Sequence, residues 1–188
     1  MQAKLLAYFF TVFLVSACSS LENGQHLPEL PLLPPADLGV NLQISQQVNI
    51  TIESESHTML AAWVVKQDTL SFVGLSPTGQ RLLTLSYDGL RFSEDYSPML
   101  PIKIPGRQVL AQLQIAHWPE VSVLSALEKS AWRMKVEDGQ RHLFVNRKKI
   151  FSIANSSPGK YQEDAKVNIR SDVIDFSIDV TTLSVNEL

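Results

Sequence analysis

From Asn41 onward the chain breaks into short runs rich in β-branched and aromatic residues, each closed by a turn signal, and that rhythm points to an antiparallel sheet. The expected strands in the first half are 41–53 (NLQISQQVNITIE), 57–66 (HTMLAAWVVK), 69–76 (TLSFVGLS), 80–87 (QRLLTLSY) and 90–94 (LRFSE). Pro77-Thr78-Gly79 and Asp88-Gly89 separate them, the second being a common hairpin signal. Strand patterns return at 130–137, 140–146, 148–154, 161–170 and 173–183, with Asp138-Gly139 marking another hairpin. The last run alternates most cleanly: Ile174, Phe176, Ile178 and Val180 take one face, and Asp175, Ser177 and Asp179 the other.

Between Pro105 and Leu127 the period becomes helical. Val109, Leu110, Leu113 and Ala116 recur on one face, and Val123, Leu124 and Leu127 follow Pro119. The expected fold class is therefore α+β, mainly β: one highly curved antiparallel sheet of about ten to eleven strands, an unclosed barrel, with a short helical insertion as its lid. Trp63, Phe72, Leu83, Leu85, Leu90, Phe92, Trp132, Met134 and Phe176 are the candidates for its concave face. Each one alone reads equally well as ordinary core. A sheet so curved either fills its interior with side chains or encloses an apolar ligand, and the sequence leaves both open.

The amino terminus carries a different message. Behind Lys4, residues 5–15 (LLAYFFTVFLV) form an uncharged apolar run, followed by small Ser16 and Ala17. Eleven residues are too few to cross a bilayer, which takes about 20, so the segment reads as a secretory signal. It leads straight into Cys18, the one cysteine of 188 residues. The sequence V-S-A-C resembles the lipobox of bacterial lipoproteins, which implies lipid attachment to Cys18 and cleavage before it. A second or third acyl chain makes such an anchor stable. Ser19 follows, not the aspartate that resembles an inner-membrane retention signal, so the analogy implies an outer-membrane anchor with the domain facing the periplasm. Residues 1–17 are then the signal, 18–39 a proline-rich tether in which Leu30, Leu32 and Leu33 are candidates to pack on the domain, and 40–188 the folded domain.

Charge and motif content exclude other classes. Losing Lys4 from 16 basic against 19 acidic residues leaves 15 against 19, a net charge of −4, which argues against nucleic acid as a partner. His26, His57, His117 and His142 are too far apart for a metal-type pair, and His117 is expected to cap a helix end. No G-x-S-x-G, phosphate loop or cleft-type carboxylate pair is present, so the expectation is no enzyme and no cofactor beyond the covalent lipid on Cys18. Arg147-Lys148-Lys149 reads as a solvated turn or a contact for anionic headgroups.

The Trp63 strand, the turn S-P-T-G-Q (Ser76 to Gln80), the strand LLTLSYDG and the paired-helix stretch ending in H-W-P (His117 to Pro119) resemble the LolA/LolB-like fold over residues 41–180. The pattern is closer still to a lipoprotein family of that fold often found beside aryl-polyene biosynthesis. The resemblance implies an eleven-strand unclosed barrel whose helices cover an apolar cavity for acyl chains. It also implies an outer-membrane lipoprotein that takes a lipid or acyl-chain ligand and exchanges it with a periplasmic carrier protein or the membrane. In this reading the 105–127 helices gate the cavity. One departure is Thr78, where LolB carries an exposed leucine that helps insertion into the membrane. The alternative is a structural or adaptor lipoprotein with a filled barrel and a protein partner.

Overall fold

The computed structural model describes residues 27–100 and 105–188; the signal segment and Cys18 lie outside them. Ten strands form one sheet: β1 (Leu42–Ile52), β2 (Glu55–Lys66), β3 (Thr69–Leu75), β4 (Arg81–Tyr87), β5 (Phe92–Tyr96), β6 (Trp132–Glu137), β7 (Gln140–Val145), β8 (Lys148–Asn155), β9 (Lys166–Ser171) and β10 (Phe176–Glu187). Their order across the sheet is β5-β4-β3-β2-β1-β10-β9-β8-β7-β6, antiparallel throughout. Each half is thus a meander, and the first and last strands meet in the middle. The sheet is open, with β5 and β6 at its edges. The chain passes from one edge to the other through α1 (Gly106–His117) and α2 (Glu120–Glu128), so the helices span the unclosed side.

Alternation explains which face is buried. In β1 the residues Leu42, Ile44, Gln46, Val48 and Ile50 are all buried while their neighbours are not. The β1–β10 register shifts between Ser45 and Gln46, which pairs Ser45 with Ser184 and Gln46 with Thr182 and leaves Leu183 as the extra residue, 47% exposed. That bulge keeps Thr182 and Val185 on the inner side although they are an odd number of residues apart. Turn chemistry sets the hairpins: Asp138 and Gly139 both take positive φ, 50° and 74°, as a two-residue type I′ connection between β6 and β7 requires.

Three expected strands move. The run 90–94 starts late because the Asp88 carboxylate accepts the N–H groups of Leu90 and Arg91, at 2.9 and 2.6 Å, and so prolongs the turn. Leu90 is consequently 92% exposed and does not belong to the concave face. The polar run 161–165 is a loop before β9, and the turn through Val173 and Ile174 delays β10 to Phe176. Of the basic tripeptide, Arg147 sits in the β7–β8 turn while Lys149 lies in β8 and pairs with Asp172 at 3.0 Å.

The proline-rich segment joins the core at Leu30. Leu30, Leu33 and Leu38 are buried, the last in a short 3-10 turn at Pro35–Leu38. An extended strand outside a sheet must find other partners for its backbone. Gln114 of α1 supplies them, accepting the Leu33 N–H at 2.9 Å and donating to the Leu33 carbonyl at 2.6 Å. The indoles of Trp118 and Trp132 donate to the carbonyls of Pro34 and Pro28, at 3.1 and 2.9 Å. Leu30, Leu32 and Leu33 of the 18–39 segment thus pack on the domain as expected, and the described part of that segment is a clamped strap. Replacing Gln114 by Leu leaves two buried backbone groups unpaired, and at about 1–3 kcal/mol each the expected loss is about 2–6 kcal/mol in urea unfolding; a loss below about 1 kcal/mol would show that the strap does not depend on this side chain.

Candidate functional site

The inward residues Gln46, Val48, Ile50 and Ile52 of β1 form a wall about 20 Å long at the usual strand rise of about 3.3 Å per residue. Opposite them in β10 stand Val180, Ile178 and Phe176, paired with Val48, Ile50 and Ile52. The helix α1 faces this wall with Gln108, Val109, Gln112, Leu113 and Ala116, whose spacing of three and four puts them on one stripe. Between helix and sheet is a cavity of about 370 Å³. No Asp, Glu, Lys or Arg lines it among the described residues. Gly74 helps shape one wall, because a Cβ there would come within 2.2 Å of Met59 Cε and 2.5 Å of Leu83 Cδ2, and both of those side chains line the cavity.

Polar atoms gather around one part of this lining. Gln46 is 2% exposed; it accepts from the Trp63 indole at 2.9 Å and donates to Thr182 Oγ1 at 3.3 Å, next to the bulge. The Trp63 ring lies 5.1 Å from the His117 ring, which also lies 6.2 Å from that of Tyr161. Burial, with the nearby Arg141 charge adding to it, pulls the His117 imidazole down to about 4, so it is neutral at physiological pH. The expectation that His117 caps α1 as a cation is overturned by this desolvation. Arg141 of β7 does that work, donating to the carbonyls of Ile115 and Trp118. Asn155 Nδ2 reaches the Ala116 carbonyl and the Tyr161 hydroxyl the His117 carbonyl, each at 3.1 Å. Burial pushes the Tyr161 phenol up to about 12, so it remains a donor. The carboxyl end of α1 is therefore fastened to the second half of the sheet. Its amino end is held differently: the Gly106 N–H donates to the Tyr96 hydroxyl at 2.8 Å.

Of the residues expected on the concave face, Phe72, Leu83 and Phe176 line the cavity. Trp63, Leu85 and Trp132 are fully buried but lie in the packing around it: Trp63 against His117, Leu85 beneath the first turn of α1, and Trp132 edge-on to Phe151 at 5.6 Å. Met134 is buried in β6 away from the lining, and half-buried Phe92 lies under the Arg107 guanidinium at 5.8 Å. Cys18 falls outside the described residues. The lining also includes Gln46, Val48, Ile50 and Ile52 of β1 and Ile178 and Val180 of β10, which are not among those candidates. Their clean alternation was the signal that could have found them.

A family model described as "Protein of unknown function (DUF3261)" matches residues 43–184, from the second residue of β1 into β10. The chain belongs to the DUF3261 family. The match takes in both helices and every residue of the cavity lining except Leu27, which precedes it together with the strap at 28–38. No curated relative matches the sequence. In this DUF3261 chain the site is an uncharged apolar space with a few buried amide and imidazole groups, a composition suited to holding a ligand and poor in groups for acid–base work.

The state of His117 can be measured through stability. Its folded-state value near 4 lies below the ordinary 6.5, so the unfolded chain takes up a proton that the folded chain refuses. Stability therefore falls as pH drops from about 6.5 to about 4, by about 3 kcal/mol at most for this group. His117→Phe is expected to flatten that part of the profile in denaturant titrations at stepped pH. An unchanged slope would mean that other groups set it.

Proposed function

We propose that this protein is an outer-membrane lipoprotein, anchored through acyl chains on Cys18 and facing the periplasm, that holds an acyl or polyene-type lipid in the cavity beneath α1 and aids its transfer or localisation at the envelope. The observation that carries the reading is the uncharged space of about 370 Å³, within the range of about 300–1,000 Å³ usual for ligand sites. A chain of this size with a good core has no stability reason to keep such a space, since an unfilled cavity costs about 24 cal/mol per Å³. That supports a ligand-holding domain over an adaptor with a filled barrel. The lipobox-like V-S-A-C-S and the resemblance to the LolA/LolB-like fold support the same reading from sequence.

The energetics suit a carrier. Burying a 16-carbon chain is worth at most about 13 kcal/mol at about 0.8 kcal/mol per CH₂, and a bilayer offers nearly the same. Exchange between cavity and membrane is then close to neutral and needs no nucleotide. Membrane insertion in the manner of LolB is a weaker fit, because Thr78 in the β3–β4 turn is exposed and turns its hydroxyl to Ser76 Oγ at 2.8 Å. Gating by a swing of α1 would break the Arg141, Asn155 and Tyr161 bonds at its carboxyl end. Access by the β9–β10 turn breaks none of them: Ile174 there is 65% exposed, Val173 is 36% exposed, and both line the cavity.

The test is ligand binding by the non-acylated mature chain, residues 19–188, purified without detergent. Native against denaturing mass spectra are expected to show a co-purified lipid, and an environment-sensitive fatty-acyl probe is expected to bind at micromolar concentration. Val180→Trp, which fills the middle of the cavity from β10, is expected to weaken the probe at least about tenfold while the fold persists by circular dichroism. A clean apo mass together with no probe binding would remove the ligand-holding reading.

A further inference from the structure

Resting on that ligand-holding reading, the next question is what kind of chain end the cavity takes. Two buried polar side chains in the lining are not needed by the fold. Gln112 is 8% exposed and His117 is 9% exposed, and both line the cavity. Among the described residues no hydrogen bond joins the Gln112 amide or a His117 ring nitrogen to the protein, in contrast to Gln46 and Gln114, whose amides are engaged by Trp63, Thr182 and Leu33; neither residue has a fully enclosed unpaired atom, so these groups stay accessible in the cavity they line. Polar side chains that line an apolar space are normally paired, by the protein or by a bound group. Their neighbours on the helix stripe, Val109, Leu113 and Ala116, show that apolar residues fit this surface. The remaining polar lining is Gln46 beside His117 through Trp63, half-buried Gln108 one turn before Gln112, and Ser171 on β9.

Charge narrows the ligand group. The lining holds no acidic or basic side chain, and the guanidinium of Arg141, which lies outside the lining, turns its Nη1 to the Ile115 and Trp118 carbonyls. A carboxylate or phosphate brought here would be desolvated with no charged side chain in the lining to pair with, and the Arg141 charge reaches it only from behind the His117 ring, at a cost above that of an unpaired dipole. A neutral imidazole offers one donor and one acceptor, and an amide offers both kinds as well. An alcohol, primary amide or ester satisfies such a pair without bringing charge into the cavity. We infer that Gln112 and His117 form a head-group subsite within the cavity that selects ligands whose inner end is an uncharged hydrogen-bonding group, and rejects those ending in a carboxylate or phosphate.

The experiment is competition against the apolar probe by matched chains, hexadecanol, palmitamide and palmitate, at pH 8 where the acid is ionised. The non-acylated mature chain is expected to prefer the alcohol and the amide over palmitate by about tenfold or more. Gln112→Met, close in volume and unable to hydrogen-bond, is expected to cut that preference to about threefold or less, read as the ratio of the three competitors within the one variant so that any change in probe affinity cancels. His117→Phe provides a second variant that keeps a ring between Trp63 and Tyr161. Equal or tighter binding of palmitate by the unsubstituted chain overturns the subsite whatever the variants do, and so does a preference that survives both substitutions. Failure of the probe itself to bind strikes at the ligand-holding reading instead, so the two ideas fail by different results.

Discussion

The pairing of β1 with β10 is the interaction on which the other features rest. It joins the two meanders, runs from Leu42 against Glu187 to Ile52 against Phe176, and supplies both central walls of the cavity. It is also the pairing of greatest sequence separation, so neither half of the sheet has its inner neighbour until nearly the whole chain is present. A sheet built this way leaves its free edges, β5 and β6, at the points where the chain departs for and returns from the helices. The open side and its cover are thus produced by one connection. Covering the opening with helices also shields the concave face without closing the barrel, which would draw β5 against β6 and remove the space within.

That arrangement puts α1 in an unusual position for so short a helix. It is buried on several sides at once: one stripe on the cavity, Gln114 on the strap, and Leu110, Ala111 and Ile115 in the core. A helix end in such a place cannot leave its last carbonyls to water. Arg141, Asn155 and Tyr161 answer that need from three different segments of the second meander, and the strap is held by two of the three tryptophans. The same burial that makes these bonds necessary keeps His117 neutral. Structure and candidate chemistry here have one cause, the exclusion of water from the carboxyl end of α1.

The strand rhythm made the ten strands, the two helices and the hairpins at Asp88-Gly89 and Asp138-Gly139 legible, because period-two burial and turn chemistry are local. What was not legible depends on partners distant in the chain. Leu90 has the composition of a strand residue, and only the Asp88 side chain, bonding forward to its own turn, leaves it in solvent. The prolines at 28, 31, 34 and 35 argue against regular structure, which is correct, yet lack of a ladder does not mean lack of burial when Gln114 and two indoles take up the backbone. Among the site residues, Trp63 and Trp132 have the size of cavity walls but lie one layer outside it, where their N–H groups find acceptors. Large rings with a donor are better placed there than against an apolar space that offers none.

The distribution of polarity within the cavity bears on how a ligand would travel. Ile52, Phe176, Val173 and Ile174 bring the lining to the β9–β10 turn, where Ile174 and Val173 meet solvent. Gln46 lies six residues along β1, about 20 Å from Ile52, beside Thr182 and the ring of Trp63. A chain passing the turn would meet Ser171, whose hydroxyl already accepts from the Val173 and Ile174 N–H groups, then apolar side chains of β1 and β10 before Gln46. For an alkyl chain with a small neutral head, each step inward exchanges membrane-like surroundings for similar ones until that final pairing. An ionised head finds no charged side chain in the lining and loses its hydration along the way, so its stable position is at the rim with the charge outside. The same cavity would hold these two ligand types in opposite orientations, with only the neutral head buried.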